Sequence, residues 1–333
     1  MPVKCLAVSH EAAARTISLL LARQCIDKRY KIDDYGDRIL IPLIQENCHS
    51  DSNLVDCKPR LREGIRNPIE EIRDYLLSRG IAEHEIPDRW IRYGDCIIVR
   101  TASEHQEEIA HAFEIFLKAA SVYSIEGRIA GKYRIPKLRL LSGPGGDITH
   151  RENGIYYVFN PEKIMFSPGN VNERIRYSKF DLKGKTVLDM FAGIGYFSFP
   201  VAKYTGASVI TAVDINPVAV SYLKKGIERN GLGCVIKAIN ADSSSLDFRE
   251  EFDFIIMGNF DSPLYALKAL DYCAPGGTIS MHHLVNSGER KHIDSVIENI
   301  FGRRYEEIQI IDTHKVKSYS PNIFHYSTLL RKK

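Results

Sequence analysis

From Thr186 onward the chain alternates short apolar runs with amphipathic stretches. That alternation restricts its second half to a mostly parallel sheet covered by helices on both faces. Residues 187–191 read as a strand, and Gly193-Ile-Gly195 turns the chain into a helix over 196–203. A second strand over 208–213 ends at Asp214 and is followed by a helix over 217–230. Further strands are expected over 234–239, 252–257, 277–282, 306–311 and 325–330, with helices over 264–273 and 291–301. The fold class is therefore α/β: a Rossmann-like, doubly wound, mostly parallel sheet preceded by smaller α+β domains.

Four segments are expected. Residues 1–45 form a small α+β module, with an amphipathic helix over 10–23 and a strand at Arg38-Ile-Leu-Ile-Pro-Leu43. Residues 46–67 are polar, contain Pro59 and read as a linker. Residues 68–161 form a mixed domain with helices over 69–77 and 104–119 and strands over 95–100, 121–125, 137–142 and 155–159. Residues 162–333 form the sheet domain.

Hydrophobic residues make up 44% of the chain and charged residues 26%, as in an ordinary globular protein. The apolar run 17–22 is far too short to cross a bilayer, and the expected location is the cytoplasm. Seven scattered cysteines form no C-x2-C pair, so they predict neither a zinc site nor a secreted disulfide framework, and most read as small apolar fillers. The net charge of +3 excludes no partner, but Arg128, Lys132, Arg134, Lys137 and Arg139 cluster ahead of the sheet domain, with Arg151, Arg174 and Arg176 beyond. Such a run is either a solvated face or a track for phosphates.

Three chemical signals fall at the ends of three successive strands. Asp189-Met-Phe-Ala-Gly-Ile-Gly195 lets the backbone turn tightly and approach a ligand at Phe191 and Gly193. It contains no phosphate-loop lysine. Asp214, followed by Ile215, suits both hydroxyls of a ribose, or equally a cap on the helix from Pro217, a task Asn216 can also perform. Asp242-Ser243 suits the edge of an adenine. Together they outline the rim of one pocket where open α/β sheets bind nucleoside cofactors.

Phe166-Ser-Pro-Gly-Asn-Val-Asn-Glu-Arg-Ile-Arg176, Asp189 to Phe197 and Asp214-Ile-Asn-Pro217 resemble the class I S-adenosylmethionine-dependent enzymes that modify position 37 of tRNA. His150-Arg-Glu-Asn-Gly154 and Lys317-Ser-Tyr-Ser-Pro321 are two further marks of that group. It joins guanine-N1 methyltransferases to wybutosine-synthesis transferases, which move a 3-amino-3-carboxypropyl group to C7 of 4-demethylwyosine. The resemblance implies S-adenosylmethionine as co-substrate, no metal, and tRNA(Phe) as partner; the oligomeric state is not read from the sequence, a monomer being the expectation. Methyltransferases of the group carry arginine where Gly169 stands and Asn-Leu-Pro where Met257-Gly-Asn259 stands, so the resemblance is greater to the aminocarboxypropyl branch. Asp214 and Ser243 depart from that branch, which has glutamate and asparagine there. The resemblance implies Ser167, Arg174, Asp214, Asp242 and Ser243 around the cofactor, and Phe191, Gly193 and Ile215 complete the expected cofactor site.

A guanidinium at Arg174 and the Ser167 hydroxyl suit the cofactor carboxylate, although a surface ion pair suits Arg174 equally. Because a sulfonium is already activated, catalysis is expected to be positioning and electrostatics, with Asn170, Asn259 and Asp261 lining the base pocket. Asp261 suits proton removal or a helix cap. Tyr133 and Tyr156 are available for stacking on bases.

Overall fold

The computed structural model describes residues 3–45, 53–61, 67–127, 129, 131, 133–248, 250–289 and 292–333. The described chain forms two compact units, Met1–Glu71 and Ile72–Lys333.

In the first unit, β1 (Val3–Val8), β2 (Asp33–Asp34), β3 (Ile39–Pro42) and β4 (Leu54–Cys57) form an antiparallel sheet in the order β2-β3-β1-β4. Helix α1 (His10–Ala22) starts at Ser9, whose hydroxyl accepts from Ala12 N, and buries Leu20 beside Leu6, Ile26, Ile41 and Leu43. The expected linker over 46–67 is thus corrected. It contains β4, whose alternation is too short to stand out from its polar surroundings, yet whose backbone pairs with β1 from Val3↔Cys57 to Leu6↔Leu54. That pairing brings Cys5 and Cys57 to a Cα separation of 6.1 Å, and a disulfide joins them, contrary to the reading of the cysteines as fillers. Cys48 lies outside the described residues.

The second unit takes in most of α2 (Pro68–Ser78), then β5 (Trp90–Tyr93), β6 (Cys96–Val99), α3 (Gln106–Leu117), β7 (Ser121–Ile125) and β8 (Leu138–Ser142). These strands form one sheet in the order β5-β6-β7-β8, its helices packed over Ile97, Val99 and Val122. A hairpin of β9 (Ile148–Glu152) and β10 (Ile155–Phe159) turns through Asn153 and Gly154, both at positive φ. The stretch 68–161 has no core wholly separate from that of the sheet domain. Tyr93, Tyr123, Tyr157 and Phe159 share one apolar cluster with Phe199, Ile210 and Phe254.

Next come α4 (Val171–Tyr177), β11 (Thr186–Asp189), α5 (Ser198–Tyr204), β12 (Val209–Asp214), α6 (Pro217–Asn230) and β13 (Ile236–Asn240). They are followed by β14 (Phe252–Met257), α7 (Ala266–Tyr272), β15 (Cys273–Asn286), α8 (Ile293–Phe301), β16 (Ile308–Ser320) and β17 (Ile323–Lys332). The seven-stranded sheet runs β13-β12-β11-β14-β15-β17-β16; pairing is parallel as far as β15, and β17 is antiparallel to both its neighbours. This is the doubly wound class expected. The direction of winding reverses between β11 and β14, which opens a crevice beyond their carboxyl ends.

Helix α6 shows how sequence sets an element. Asn216 caps its first turn by accepting from Val218 N, Pro217 opens it, and Gly231 ends it at φ +67°. Ala219, Val220, Tyr222, Leu223, Gly226 and Ile227 give it a buried stripe at helical spacing. Gly226 and Gly195 both lie against Phe199: a Cβ built on either would fall 2.6 Å from the ring, and Gly195 stands at φ +97°. Gly195→Ala is therefore expected to destabilise the protein by about 1–3 kcal/mol, through overpacking and backbone strain together. Urea unfolding of the two proteins measures it.

Candidate active site

A cavity of about 410 Å³ occupies the crevice at the sheet's switch point. The backbone leaving β11 contributes Met190, Phe191 and Gly193; that leaving β12 contributes Asp214, Ile215 and Asn216. Ala241, Asp242 and Ser243 follow β13, and Asn259 and Asp261 follow β14. Ser167, Asn170 and Arg174 close one side. All eleven residues singled out from the sequence thus line a single cavity.

The rim is built by backbone hydrogen bonds to carboxylates. Gly193 N donates to Asp214 Oδ2 at 2.7 Å and Asn216 N to Asp214 Oδ1 at 2.8 Å. Burial pushes the Asp214 carboxyl up, and these two bonds oppose the rise. Asn216 caps α6, so Asp214 is left to face the cavity. Beneath the glycine turn, Asp189 is fully buried and accepts from Ser198 Oγ at 2.7 Å and Phe191 N at 3.3 Å. Burial raises its pKa to about 7. Asp242 accepts from both the backbone and hydroxyl of Ser244, and Ser243 is buried, its carbonyl accepting from Tyr272 Oη. The Phe191 and Tyr265 rings meet edge to face at 5.1 Å on the same wall.

Arg174 lines the cavity with its fork already engaged. It is 2% exposed, and its fork is taken by Glu152, with Nε–Oε1 at 2.6 Å and Nη2–Oε2 at 2.7 Å. Nη1 and Nη2 each also donate to the Ser167 carbonyl at 3.1 Å, and the guanidinium covers the Phe166 ring at 4.5 Å. The pair is buried rather than on the surface. Its partner comes from the β9–β10 hairpin, too distant in sequence to be read as one. The cation that meets the Ser167 side chain is Lys317, whose Nζ donates to Ser167 Oγ at 3.0 Å. Its Cδ and Nζ lie 3.4 Å from where a Cβ on Gly169 would stand. Burial, with Arg134 and Arg174 nearby, pushes the Lys317 pKa down.

Asn170 Oδ1 is buried without a hydrogen-bond partner. Asn259 Oδ1 accepts from Asp261 N at 3.4 Å; Asp261 precedes a short 3-10 turn but its side chain caps nothing. Sequence reasoning missed Tyr196, Tyr265, Lys317, Tyr319 and His325 as lining residues, although Tyr196, Lys317 and Tyr319 lie within motifs already noticed. Tyr133 lines the cavity, whereas Tyr156 does not and instead lies beneath Arg151 and Arg229. A second cavity of about 790 Å³ shares Arg134, Met165, Ser167, Asn259, Phe260 and Tyr319 with the first and adds Arg100 and Lys137. Other members of the basic cluster are engaged elsewhere: Arg139 pairs with Glu126, and Arg176 with Glu173 and Asp312. Arg128 and Lys132 lie outside the described residues.

Residues 148–309 match the model of the TRM5/TYW2 methyltransferase domain, and residues 72–146 that of the TYW2 N-terminal domain. The chain is 31% identical over 279 residues to a tRNA(Phe) (4-demethylwyosine(37)-C(7)) aminocarboxypropyltransferase of Pyrococcus horikoshii, covering 82% of this chain and 96% of the relative. The chain belongs to the TRM5/TYW2 family. Among solved TRM5/TYW2 structures, P. horikoshii TYW2 in complex with MeSAdo is 30% identical with a TM-score of 0.68, covering 79% of this chain and 98% of that one. Trm5b from Pyrococcus abyssi has the same TM-score at 25% identity and covers 99% of both chains. Among the described residues no helix is long and apolar enough to cross a membrane, and no cluster of His, Cys, Asp and Glu is arranged to hold a metal ion.

Two measurements probe this geometry. Glu152→Gln leaves Arg174 buried without its carboxylate and is expected to cost about 3–5 kcal/mol, read from denaturant unfolding. The raised pKa of Asp189 stabilises the fold fully below about pH 4, and that contribution is lost as pH rises through about 7. Asp189→Asn is therefore expected to flatten the decline in stability across that window relative to the wild type, measured by melting temperature against pH.

Proposed function

We propose that this protein transfers the 3-amino-3-carboxypropyl group of S-adenosylmethionine to C7 of 4-demethylwyosine at position 37 of tRNA(Phe), releasing methylthioadenosine. The observation that carries this reading is Gly169. At the position where the methyltransferase branch has an arginine there is no side chain, and the Lys317 stem packs over the vacant Cβ position. The 31% identity to the P. horikoshii aminocarboxypropyltransferase and the match to the TYW2 N-terminal domain support it.

In this reading Asp214 accepts from the ribose hydroxyls, Asp242 and Ser243 face the adenine edge, and Phe191 and Ile215 flank the ring. The cofactor carboxylate falls to the Lys317 ammonium and the Ser167 hydroxyl; Arg174 acts on it through the Ser167 backbone that it fixes. The modified base enters from the adjoining larger cavity, with the unpartnered Asn170 Oδ1, Asn259 and Asp261 as its polar contacts. Arg134, Arg100 and Lys137 supply positive charge for the tRNA backbone there. The chemistry needs an in-line approach of the base carbon to the γ-carbon of the methionine arm, so the site contributes mainly by holding both in place. The assignment extends to a monomer acting in the cytoplasm.

Methyl transfer to N1 of guanosine 37 is the second reading. It is favoured by one observation: the P. abyssi Trm5b structure spans the first unit as well as the second. Mass spectrometry of products separates the two. Incubation with S-adenosylmethionine and tRNA(Phe) bearing 4-demethylwyosine is expected to yield methylthioadenosine and an aminocarboxypropyl adduct. S-adenosylhomocysteine with methylated guanosine 37 would overturn the proposal. In either case Asp214→Ala is expected to weaken cofactor binding roughly 10- to 100-fold in calorimetry, the loss of hydrogen bonds to a charged acceptor.

A further inference from the structure

The two cavities open together at the protein surface. Asp261 and Tyr319 line both of them and are both exposed, Tyr319 by 51%. Beyond the end of β14, Gly258, Asn259, Phe260 and Asp261 line the first cavity, and so does Tyr265. Between Asp261 and Tyr265 the chain makes the 3-10 turn Ser262–Tyr265, which carries Leu264. Leu264 is 83% exposed, more than any other large hydrophobic side chain among the described residues. Leu267, three residues on and at the spacing of helical neighbours, is 44% exposed.

A lone exposed leucine is ordinary on a protein surface. This one is held in place beside an opening that the substrate base must pass. Ser262 is fully buried, and its hydroxyl donates to the carbonyls of Met257 at 2.8 Å and Asn259 at 2.5 Å. Pro263 fixes the next φ, and Leu264 N donates to the Asp261 carbonyl at 3.0 Å. Tyr265 and Ala266 then pack into the core. The turn is thus pinned on both sides of Leu264, and the side chain it presents to water is apolar.

We propose that Leu264 is a wedge that enters the gap between nucleotides 36 and 38 when base 37 turns out of the anticodon loop into the cavity. The inference rests on position 37 being the target, which both transfer chemistries share. A base stacked within a loop must leave the stack to reach an enclosed site, and the neighbours it leaves expose their faces to water. An aliphatic side chain inserted there covers those faces and keeps the vacated space from closing. The charge around the opening suits the same partner. Arg134, whose guanidinium lies over the Phe260 ring at 5.2 Å, lines both cavities, and Arg100 and Lys137 line the second. These cations can hold phosphates of the loop while an uncharged tip enters between its bases. A docked protein needs a far broader apolar area than two leucines provide.

The test is single-turnover transfer at saturating cofactor, on whichever of the 4-demethylwyosine and guanosine-37 tRNAs the wild type converts. That choice separates a failure of the functional proposal, seen in the wild-type product, from a failure of the wedge. Leu264→Ala is expected to slow transfer about 10-fold, the loss of most of a buried leucine, with cofactor affinity unchanged. On the same tRNA lacking the base at position 38, where that face of the gap is absent, the two proteins are expected to agree within about twofold. A residue that merely supports the fold would slow both tRNAs alike. 2-Aminopurine at position 38 gives a second reading that needs no turnover. Its fluorescence is expected to rise when the wild type binds and base 37 leaves the stack, and to rise less with Leu264→Ala. An unchanged rate in Leu264→Ala, an equal loss on both tRNAs, or an equal rise in fluorescence with both proteins overturns the proposal.

Discussion

One buried guanidinium holds together segments that the sequence keeps apart. Arg174 on α4 takes the carboxylate of Glu152 from the β9–β10 hairpin with one edge and the carbonyl of Ser167 with another. Such a pair is favourable in a low-dielectric interior only when its geometry is good and further hydrogen bonds engage its remaining donors, and here Nη1 and Nη2 both reach the Ser167 carbonyl. The loop over 167–170 owes its position to this pair, and with it the hydroxyl that meets Lys317 and the unpartnered oxygen of Asn170. The first stretch of the second unit is therefore part of the site's framework rather than an appendage to it.

The sheet side of the site is legible in the sequence because each of its residues follows directly on a strand end, even where the bond between two of them, from Gly193 N to Asp214, spans 21 residues. A strand, a turn residue and a carboxylate within a few positions of one another suffice to place Phe191, Gly193, Asp214 and Asp242 on one rim, and the parallel order of the strands does the rest. The ambiguity between Asp214 and Asn216 was resolved by a single bond, from Val218 N to the Asn216 side chain. What could not be read was whatever depends on pairing across long separations. The partner of Arg174 lies 22 residues away and that of Ser167 Oγ lies 150. The pairing of Arg174 with Glu152 could not be read because its residue type predicts a carboxylate partner without saying which one. Strand β4 and the Cys5–Cys57 bridge were hidden for the same reason: a four-residue strand has no periodicity of its own and exists because β1 is there to receive it.

Glycine plays opposite parts at two places in this site. At Gly195 its absent side chain lets Phe199 pack directly under the turn, a matter of core density. At Gly169 the absent side chain admits Lys317 from another strand. A cation delivered on a long stem from β16 is not equivalent to one rooted on the loop itself. It comes from β16 and meets the loop at Ser167 Oγ.

Strand β17 lies between β15 and β16, antiparallel to both, so the sheet is not laid down in the order in which it is synthesised. The cofactor-facing loops after β11, β12 and β13 can assemble early, from neighbours in sequence. Lys317 and His325, by contrast, reach the cavity only when β16 and β17 have added to β15, with which only β17 of the two pairs. A nascent chain on the ribosome would thus acquire a cofactor crevice first and the wall opposite it last, which separates the capacity to hold a nucleoside from the capacity to act on a base.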